Sequence, residues 1–506
     1  MKMELILGPP GCGKTTELLS LVDHHIASGI DPDKIAFVSF TRKAADEAAD
    51  RAVEKFGIKR DDLPWFRTIH STAFRLLYLS SKNVLGKDDY KELCDEIGLT
   101  FTGDVSIDDQ VLDSGPDGNR CIFMEMLARN MDVPLESLWN DSDGSIDWLV
   151  LQLYQRALSR YKSYSGLIDF TDMLENVLIQ DANLSDIQVV IIDEAQDLSI
   201  LQWRFIFQVF RSADQMYIAG DDDQAIFQWS GADTSFFLGL ATRADTVRTL
   251  QQSYRLPKAI YDFANQISDH ISTRLEKDWQ PRDEPGIVEF HTSPDFLPIK
   301  KDESWLLLAR NRFLLKHYEE NLRMNGIPYA IKKRPVIRAM DIQAILSWEA
   351  LRSGKSIEVH LARNVYNLIK GSGVKASWRQ LPDIDDHLLV SFEDLALKYG
   401  LTLDQDTIWH DALNGISIED REFYLAILRD GGKLTDPPKV FLDTIHGVKG
   451  GEADHVAIIT DLAFRTWEEL QVNEDPEHRV FYVAATRAKK SLHIIEPLST
   501  KFYPLS

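Results

Sequence analysis

The chain has 506 residues, a formal net charge of −23, 44% hydrophobic and 27% charged residues, a globular composition with length enough for several cores. Its apolar runs stop well short of the roughly 20 residues of a membrane span. Cys12, Cys94 and Cys121 form no C-x-x-C pair, which argues against a disulfide framework or a zinc site. A strand pattern starts at the first residues and leaves no room for a signal peptide, so the expected location is the cytoplasm of a bacterial or phage-infected cell. Acidity concentrates in residues 103–117, 141–147, 383–386 and 393–411. Binding to phosphates depends on local Lys/Arg density and not on the total, so a polynucleotide held in a cleft beneath an acidic outer surface is compatible with this charge.

The apolar run Leu5-Ile6-Leu7 leads into Gly8-Pro9-Pro10-Gly11-Cys12-Gly13-Lys14-Thr15-Thr16, which fits G-x-x-x-x-G-K-[ST], and a helical pattern follows. Glycines at these positions let backbone N–H groups turn around a phosphate chain at a helix N-terminus. Lys14 is placed for β- and γ-phosphates and Thr15 for a Mg²⁺ ion. A nucleoside triphosphate is the expected ligand. Cys12 reads as a small loop residue whose alkylation should block access of the nucleotide.

Next comes an apolar strand pattern over residues 34–41, then helical segments from Arg42 and from near Ile69. Residues 80–185 read as mostly helical, broken by an acidic loop near 103–119. Val189–Asp193 and residues 216–221 read as buried parallel strands that end in acids. A second strand–helix pattern holds residues 305–310, 456–459 and 491–495, while residues 340–440 are more helical. The predicted fold class is α/β, with two units that are each interrupted by an insert.

Asp193-Glu194 ends an apolar strand in a chain that already has a phosphate loop, a Walker-B arrangement in which Asp193 holds Mg²⁺ and Glu194 polarises water. The pentad Asp193-Glu194-Ala195-Gln196-Asp197, the later GDDDQAIFQWSGAD, SYR, TIHGVKGGEAD and VAATRAKK together resemble the ordered motif series of superfamily 1 helicases, UvrD/Rep-like branch. The resemblance implies two RecA-like parallel-sheet P-loop domains, each with a mainly helical insert. Its expected division is 1–79 with 186–250, insert 80–185, then 251–340 with 440–506, and a reduced insert 341–439. It implies that Gln224 senses the γ-phosphate, Tyr254 stacks on adenine, Glu452 contacts ribose, and Arg255 and Arg487 approach the γ-phosphate from the second domain. It further implies a DNA track of Phe40, Thr41, His70, Phe227, Trp229, Thr444 and His446. Residues 169–174 resemble a family segment expected to be structural.

By that resemblance the chain is an ATP- and Mg²⁺-dependent motor on single-stranded DNA and single/double-strand junctions, moving 3′ to 5′ and separating duplex. A monomer or weak oligomer with unspecified protein partners is expected. Three departures stand out. No glutamine-containing segment precedes the phosphate loop, which leaves base selectivity open. The second insert is short for the family. The chain stops soon after Arg487, with room only for a hairpin stub at Phe502 and Tyr503 and none for a nuclease domain, so translocation is better supported than efficient unwinding. Two rival readings stay open: an RNA-directed helicase or RNP remodeller, and a nucleotide-gated DNA clamp with little unwinding. Intact Lys14, Glu194 and Arg487 count against the clamp.

Overall fold

The computed structural model describes residues 1–39, 42–103, 115–142, 144–300, 302–378, 381 and 384–505, with backbone alone at 42 and 43. Phe40 and Thr41, expected on the DNA track, lie outside the described residues. The first sheet holds β1 (Lys2–Leu7), β2 (Ile35–Ser39), β3 (Phe66–Thr68), β4 (Val189–Asp193), β5 (Gln215–Gly220) and β6 (Thr246–Thr249), in the order β3-β2-β4-β5-β1-β6. All its pairings are parallel. Side chains alternate across a strand, so a strand covered on both faces is apolar throughout. Val190 and Ile192 join Met173, Leu174, Phe205 and Ile206 on one face. Val189 and Ile191 join Leu18, Leu19, Val22 and Ala48 on the other.

A linking pair follows, β7 (Gln252–Pro257) with β8 (Gln280–Arg282). The second sheet contains β9 (Ile287–His291), β10 (Trp305–Ala309), β11 (Tyr329–Ile331) and β12 (Arg334–Pro335), and beyond a short pair, β13 (Ile357–Glu358) with β14 (Leu389–Val390), it is completed by β15 (Val440–Thr444), β16 (Ala453–Ile459) and β17 (Ala488–Ile495). Its order is β12-β11-β15-β10-β16-β17-β9, parallel except at β11–β12. The expected α/β class with parallel sheets is the observed one. Leu306 and Leu308 pack with Val456, Ile458 and Tyr482. Trp305 and Leu307 pack with Trp348, Leu395 and Trp409, so the helices between β12 and β15 extend this sheet's core.

The helices between β3 and β4 have a core of their own, which includes Cys94, Cys121, Leu151 and Tyr154. A charge network fastens them to the first sheet. Asp169 N-caps the helix Phe170–Ile179 in a reciprocal capping box with Asp172. That helix packs Met173, Leu174 and Val177 on the sheet. Arg129, on helix Asp117–Asn130, pairs with Asp169 at 3.0 Å, Asp172 at 2.5 Å and Glu175 at 2.6 Å. Lys162, on helix Trp148–Ser165, reaches Asp169 and Asp172 at 2.5 and 2.7 Å.

One expectation is corrected. Tyr503 is not part of a projecting stub: it is 2% exposed, stacked on Phe481 at 4.0 Å, with its hydroxyl 2.6 Å from His478 Nδ1. An aromatic ring placed against apolar neighbours is more stable buried than in water.

Removing one member of a buried ion network leaves uncompensated charge and costs about 3–5 kcal/mol. Arg129→Ala is therefore expected to lower the urea midpoint clearly, whereas Arg204→Ala, at an exposed pair with Asp132, should leave it nearly unchanged.

Candidate functional site

The loop between β1 and helix Lys14–Ala27 is the centre of the site. Gly8 N–H donates to the Gly220 carbonyl at 2.9 Å, which ties the loop to the end of β5. Gly11 and Gly13 have φ of 71° and 75°, in the left-handed region that glycine tolerates best. Pro9 and Cys12 close a turn (N···O 3.2 Å), and Thr15 and Thr16 lie in the first helical turn. This arrangement presents backbone N–H groups and a helix N-terminus, a cradle suited to phosphates. Cys12 is 7% exposed, and burial pushes its thiol up to about 12, so its thiolate is scarce and shielded from reagents in solution.

β5 lies between β1 and β4, so the Asp193-Glu194 end of β4 reaches Lys14 across it. Lys14 Nζ is 2.8 Å from Glu194 and 3.6 Å from Asp193. Burial disfavours the Lys14 charge, but the two carboxylates more than offset this and hold its pKa above the ordinary value. Burial raises the Asp193 carboxyl, with the Glu194 charge adding to it against Lys14. Glu194 feels the same burial, yet Lys14 and Lys449 carry it below its usual value. The carboxylate nearest the lysine thus stays ionised, as an acceptor toward water requires.

Glu194 has a left-handed backbone, φ 54° and ψ 40°, an uncommon state for a residue with a Cβ. Its N–H donates to Asp193 Oδ1 at 2.9 Å, and Gln196 Nε2 donates to its carboxylate at 2.7 Å. Gln196 Oε1 accepts from Asp221 N–H at 3.1 Å. A Cβ at Gly220 would sit 2.7 Å from that same oxygen, so glycine there makes room for the bridge. Gln196 was visible in the sequence only as a member of the pentad; the structure makes it the strut between β4 and β5.

β7 and segments of the chain that follow it close over the loop. Tyr254 N–H donates to the Gly11 carbonyl at 2.8 Å, and Ser253 Oγ donates to the Pro10 carbonyl at 2.8 Å. The Tyr254 ring is 72% exposed beside Gly13, a flat face at the loop's mouth. Arg255 donates to Glu452 at 2.8 Å, and Glu452 also pairs with Lys489. Arg487, 2% exposed, donates to Gln224 Oε1 at 2.8 Å, while Gln224 Nε2 donates to Asp221 at 2.6 Å. Burial and the nearby Arg255 charge bring Arg487 down to about 9. Lys449, unassigned from sequence, is held by Asp197 at 2.5 Å and the Gln224 carbonyl at 2.6 Å. Burial raises Asp197 to about 6 in spite of Lys449. Lys14, Asp193, Glu194, Gln224, Tyr254, Arg255, Glu452 and Arg487 therefore gather around one loop.

The expected track residues divide. Phe227, Trp229 and His446 form a ring cluster with centroids 6.2–6.3 Å apart, and Trp229 also stacks on Phe123 of the insert at 6.3 Å. Trp229 and His446 border an open cavity of about 840 Å³ that Arg310, Arg465 and Glu477 also line. Thr444 is 1% exposed, and its hydroxyl accepts from Gly447 N–H at 3.2 Å, which makes it a turn residue. His446 is 4% exposed; burial and Arg310 hold it well below its usual pKa. His70 is separate, edge-on to Phe170 at 5.8 Å, and burial brings it down to about 4.

Two outcomes check this geometry. A Cβ on Gly11 would lie 2.3 Å from Arg255 Cβ, in addition to left-handed strain of ~1–2 kcal/mol. Gly11→Ala should weaken binding of a fluorescent ATP analogue by roughly tenfold or more. Unchanged affinity would show that the contact does not matter. Iodoacetamide at neutral pH should modify Cys12 slowly, and peptide mass mapping that finds it alkylated as fast as free cysteine would contradict its burial.

The UvrD/REP helicase N-terminal domain family matches residues 2–245, and the UvrD-like helicase C-terminal domain family matches residues 419–498, together well over half of the chain. Among similar proteins, the ATP-dependent DNA helicase Rep of Buchnera aphidicola is 25% identical, with 65% of this chain and 52% of that protein covered. DNA helicase II of Haemophilus influenzae is 28% identical over 56% of this chain and 40% of its own length. The ATP-dependent DNA helicase PcrA of Bacillus subtilis is 26% identical over 57% and 40%. The chain thus spans about half or less of these relatives. With both family domains matched in order and the motif residues gathered about one phosphate loop, the chain belongs to the UvrD/Rep-like helicase family.

Proposed function

We propose that the chain is an ATP-dependent translocase and helicase on single-stranded DNA and single/double-strand junctions, moving 3′ to 5′. The observation that carries the reading is the Arg487–Gln224 contact at 2.8 Å, an arginine of the second unit delivered to the acidic end of the first sheet. An arginine that reaches the migrating phosphoryl group only from the opposite unit makes hydrolysis conditional on closure.

In this mechanism the loop from Gly8 to Thr16 holds the phosphates, with Lys14 exchanging Glu194 for the β- and γ-oxygens. Glu194, held by Gln196, orients and polarises water. Gln224 passes the presence of the γ-phosphate to Arg487, and Arg255 adds positive charge from the same side. Tyr254 offers its exposed face to the base, and Glu452 lies beside Arg255 for the ribose. Thr15 and Asp193 supply hard oxygen ligands that suit Mg²⁺, which when bound neutralises developing phosphate charge. Trp229 and Phe227 serve as base platforms, with His70, Thr444 and His446 along the strand; stacking gives little sequence preference.

The domain division 1–79 with 186–250, 80–185, 251–340 with 440–506, and 341–439 belongs to this proposal. Relatives named as DNA helicases favour DNA over RNA. Those relatives are bacterial and no helix among the described residues is long and apolar enough to cross a membrane, which supports a cytoplasmic site of action.

ATP hydrolysis should rise strongly with single-stranded DNA and fall at least about 100-fold in Glu194→Gln, the usual size of a lost acid–base residue. RNA oligomers should compete poorly, and forked substrates should be opened from a 3′ tail. Unstimulated hydrolysis by the wild-type chain would exclude the motor.

A further inference from the structure

Away from the phosphate loop, the outer edge of the second sheet carries a histidine cluster that this mechanism does not use. β9 is the edge strand and pairs in parallel with β17, with His493 opposite Glu289 and Ile495 opposite His291. Residues two apart on a strand share a face, so Glu289 and His291 both come alongside His493. Their donor atoms converge: His291 Nε2 is 2.9 Å from His493 Nδ1, and the Glu289 carboxylate is 3.7 and 3.5 Å from these two nitrogens. Ligands about 2.0–2.1 Å from a tetrahedral zinc ion lie roughly 3.3 Å from one another, the middle of this spread.

The neighbours orient the cluster. Glu303, an acceptor when ionised, lies 3.1 Å from His455 Nε2 and favours the proton on that nitrogen. His455 Nδ1 then accepts from Ser491 Oγ at 2.6 Å, and Ser491 Oγ accepts from His493 Nε2 at 2.7 Å. The bare lone pair of His493 is thereby left on Nδ1, the atom that faces His291 and Glu289. Such outer-shell bonding is how proteins orient imidazole ligands. Trp305 covers the inner side, stacked on His455 at 4.6 Å and 5.1 Å from His493. His493 is buried while the Glu289 side chain is 49% exposed, so the cluster opens to solvent on one side.

We propose that Glu289, His291 and His493 form a binding site for a zinc-type divalent cation, with a fourth position open to water, that staples the edge strand β9 to β17. Two imidazoles and one carboxylate select zinc and related borderline metals over Mg²⁺. Cysteine counting cannot detect such a site, because its ligands come from strands about 200 residues apart. A second triad of this kind among the described residues, Glu358, His360 and His387, is less organised, since the His387 side chain is 80% exposed.

The test uses the full-length protein, stripped with chelator and titrated with zinc alone by calorimetry, with metal content measured after dialysis. One equivalent is expected, with a rise in thermal midpoint, and its loss in both Glu289→Gln and His291→Ala. Glu289→Gln is exposed and keeps its shape, so the fold survives; His387→Ala should still bind. Cobalt in place of zinc should give the intense visible bands of tetrahedral coordination. No uptake would leave the His291–His493 pair as an ordinary hydrogen bond and overturn the proposal, as would uptake that survives both variants or disappears in His387→Ala.

Discussion

Asp221, Asp222 and Asp223 follow one another at the end of β5 with relative exposures of 0%, 0% and 1%. Adjacent carboxylates stripped of water cannot remain ionised unless cations stand beside them. Here those cations come from the segment between β7 and β8, which leads into the second sheet. Lys277 reaches all three, at 3.0, 2.6 and 2.8 Å, and Arg274 pairs with Asp223 at 2.6 Å. Arg479 donates to the Asp222 carbonyl at 2.9 Å. Pulling the units apart here would leave buried anions unpaired, at several kcal/mol per ion. Relative motion of the two sheets therefore costs least when it turns about this point.

The contacts around the phosphate loop have a different character. Arg487 meets a neutral amide, Tyr254 and Ser253 meet backbone carbonyls, and Arg255 with Glu452 forms a partly exposed pair. Such bonds contribute about 1 kcal/mol net each and exchange with water or phosphate oxygens at little cost. A firm anchor beside a loosely held mouth is the mechanical arrangement a hydrolysis-driven closure needs. Lys449 stands between the two regimes: it is tied to Asp197 and the Gln224 carbonyl and lies over the Phe227 ring at 5.0 Å. Its backbone belongs to the turn that carries Thr444 and His446, so one lysine joins the acidic end of the first sheet to the ring cluster.

Much of this was legible in the sequence wherever the signal is local. The phosphate loop, Val189–Asp193 and Trp305–Ala309 announce themselves as apolar runs that end in polar residues, because a strand buried on both faces has no alternation to show. Short or edge strands were missed: Phe66–Thr68 has three residues, and Ile287–His291 is half exposed. Long-range pairs leave no mark in sequence. Asp197 and Lys449 are 252 positions apart, and nothing near either names the other. Trp229 has polar neighbours that suggest a free platform, yet Phe123 from the insert stacks on one side of it. Tyr503 has the composition of a hairpin tip and the surroundings of a core residue.

Gly11 and Arg255 lie 244 residues apart in sequence, yet the position a Cβ on Gly11 would take is only 2.3 Å from Arg255 Cβ. No rotamer relieves a clash between two Cβ atoms; only a backbone shift of β7 or of the loop can. Sterically the two positions cannot be altered independently. Replacing the glycine would require re-routing the strand that carries the arginine, and Tyr254 and Ser253 would travel with it. The phosphate loop of the first sheet and the linking strand β7 are therefore constrained together, and a side chain at position 11 is compatible only with a shifted β7 or a shifted loop.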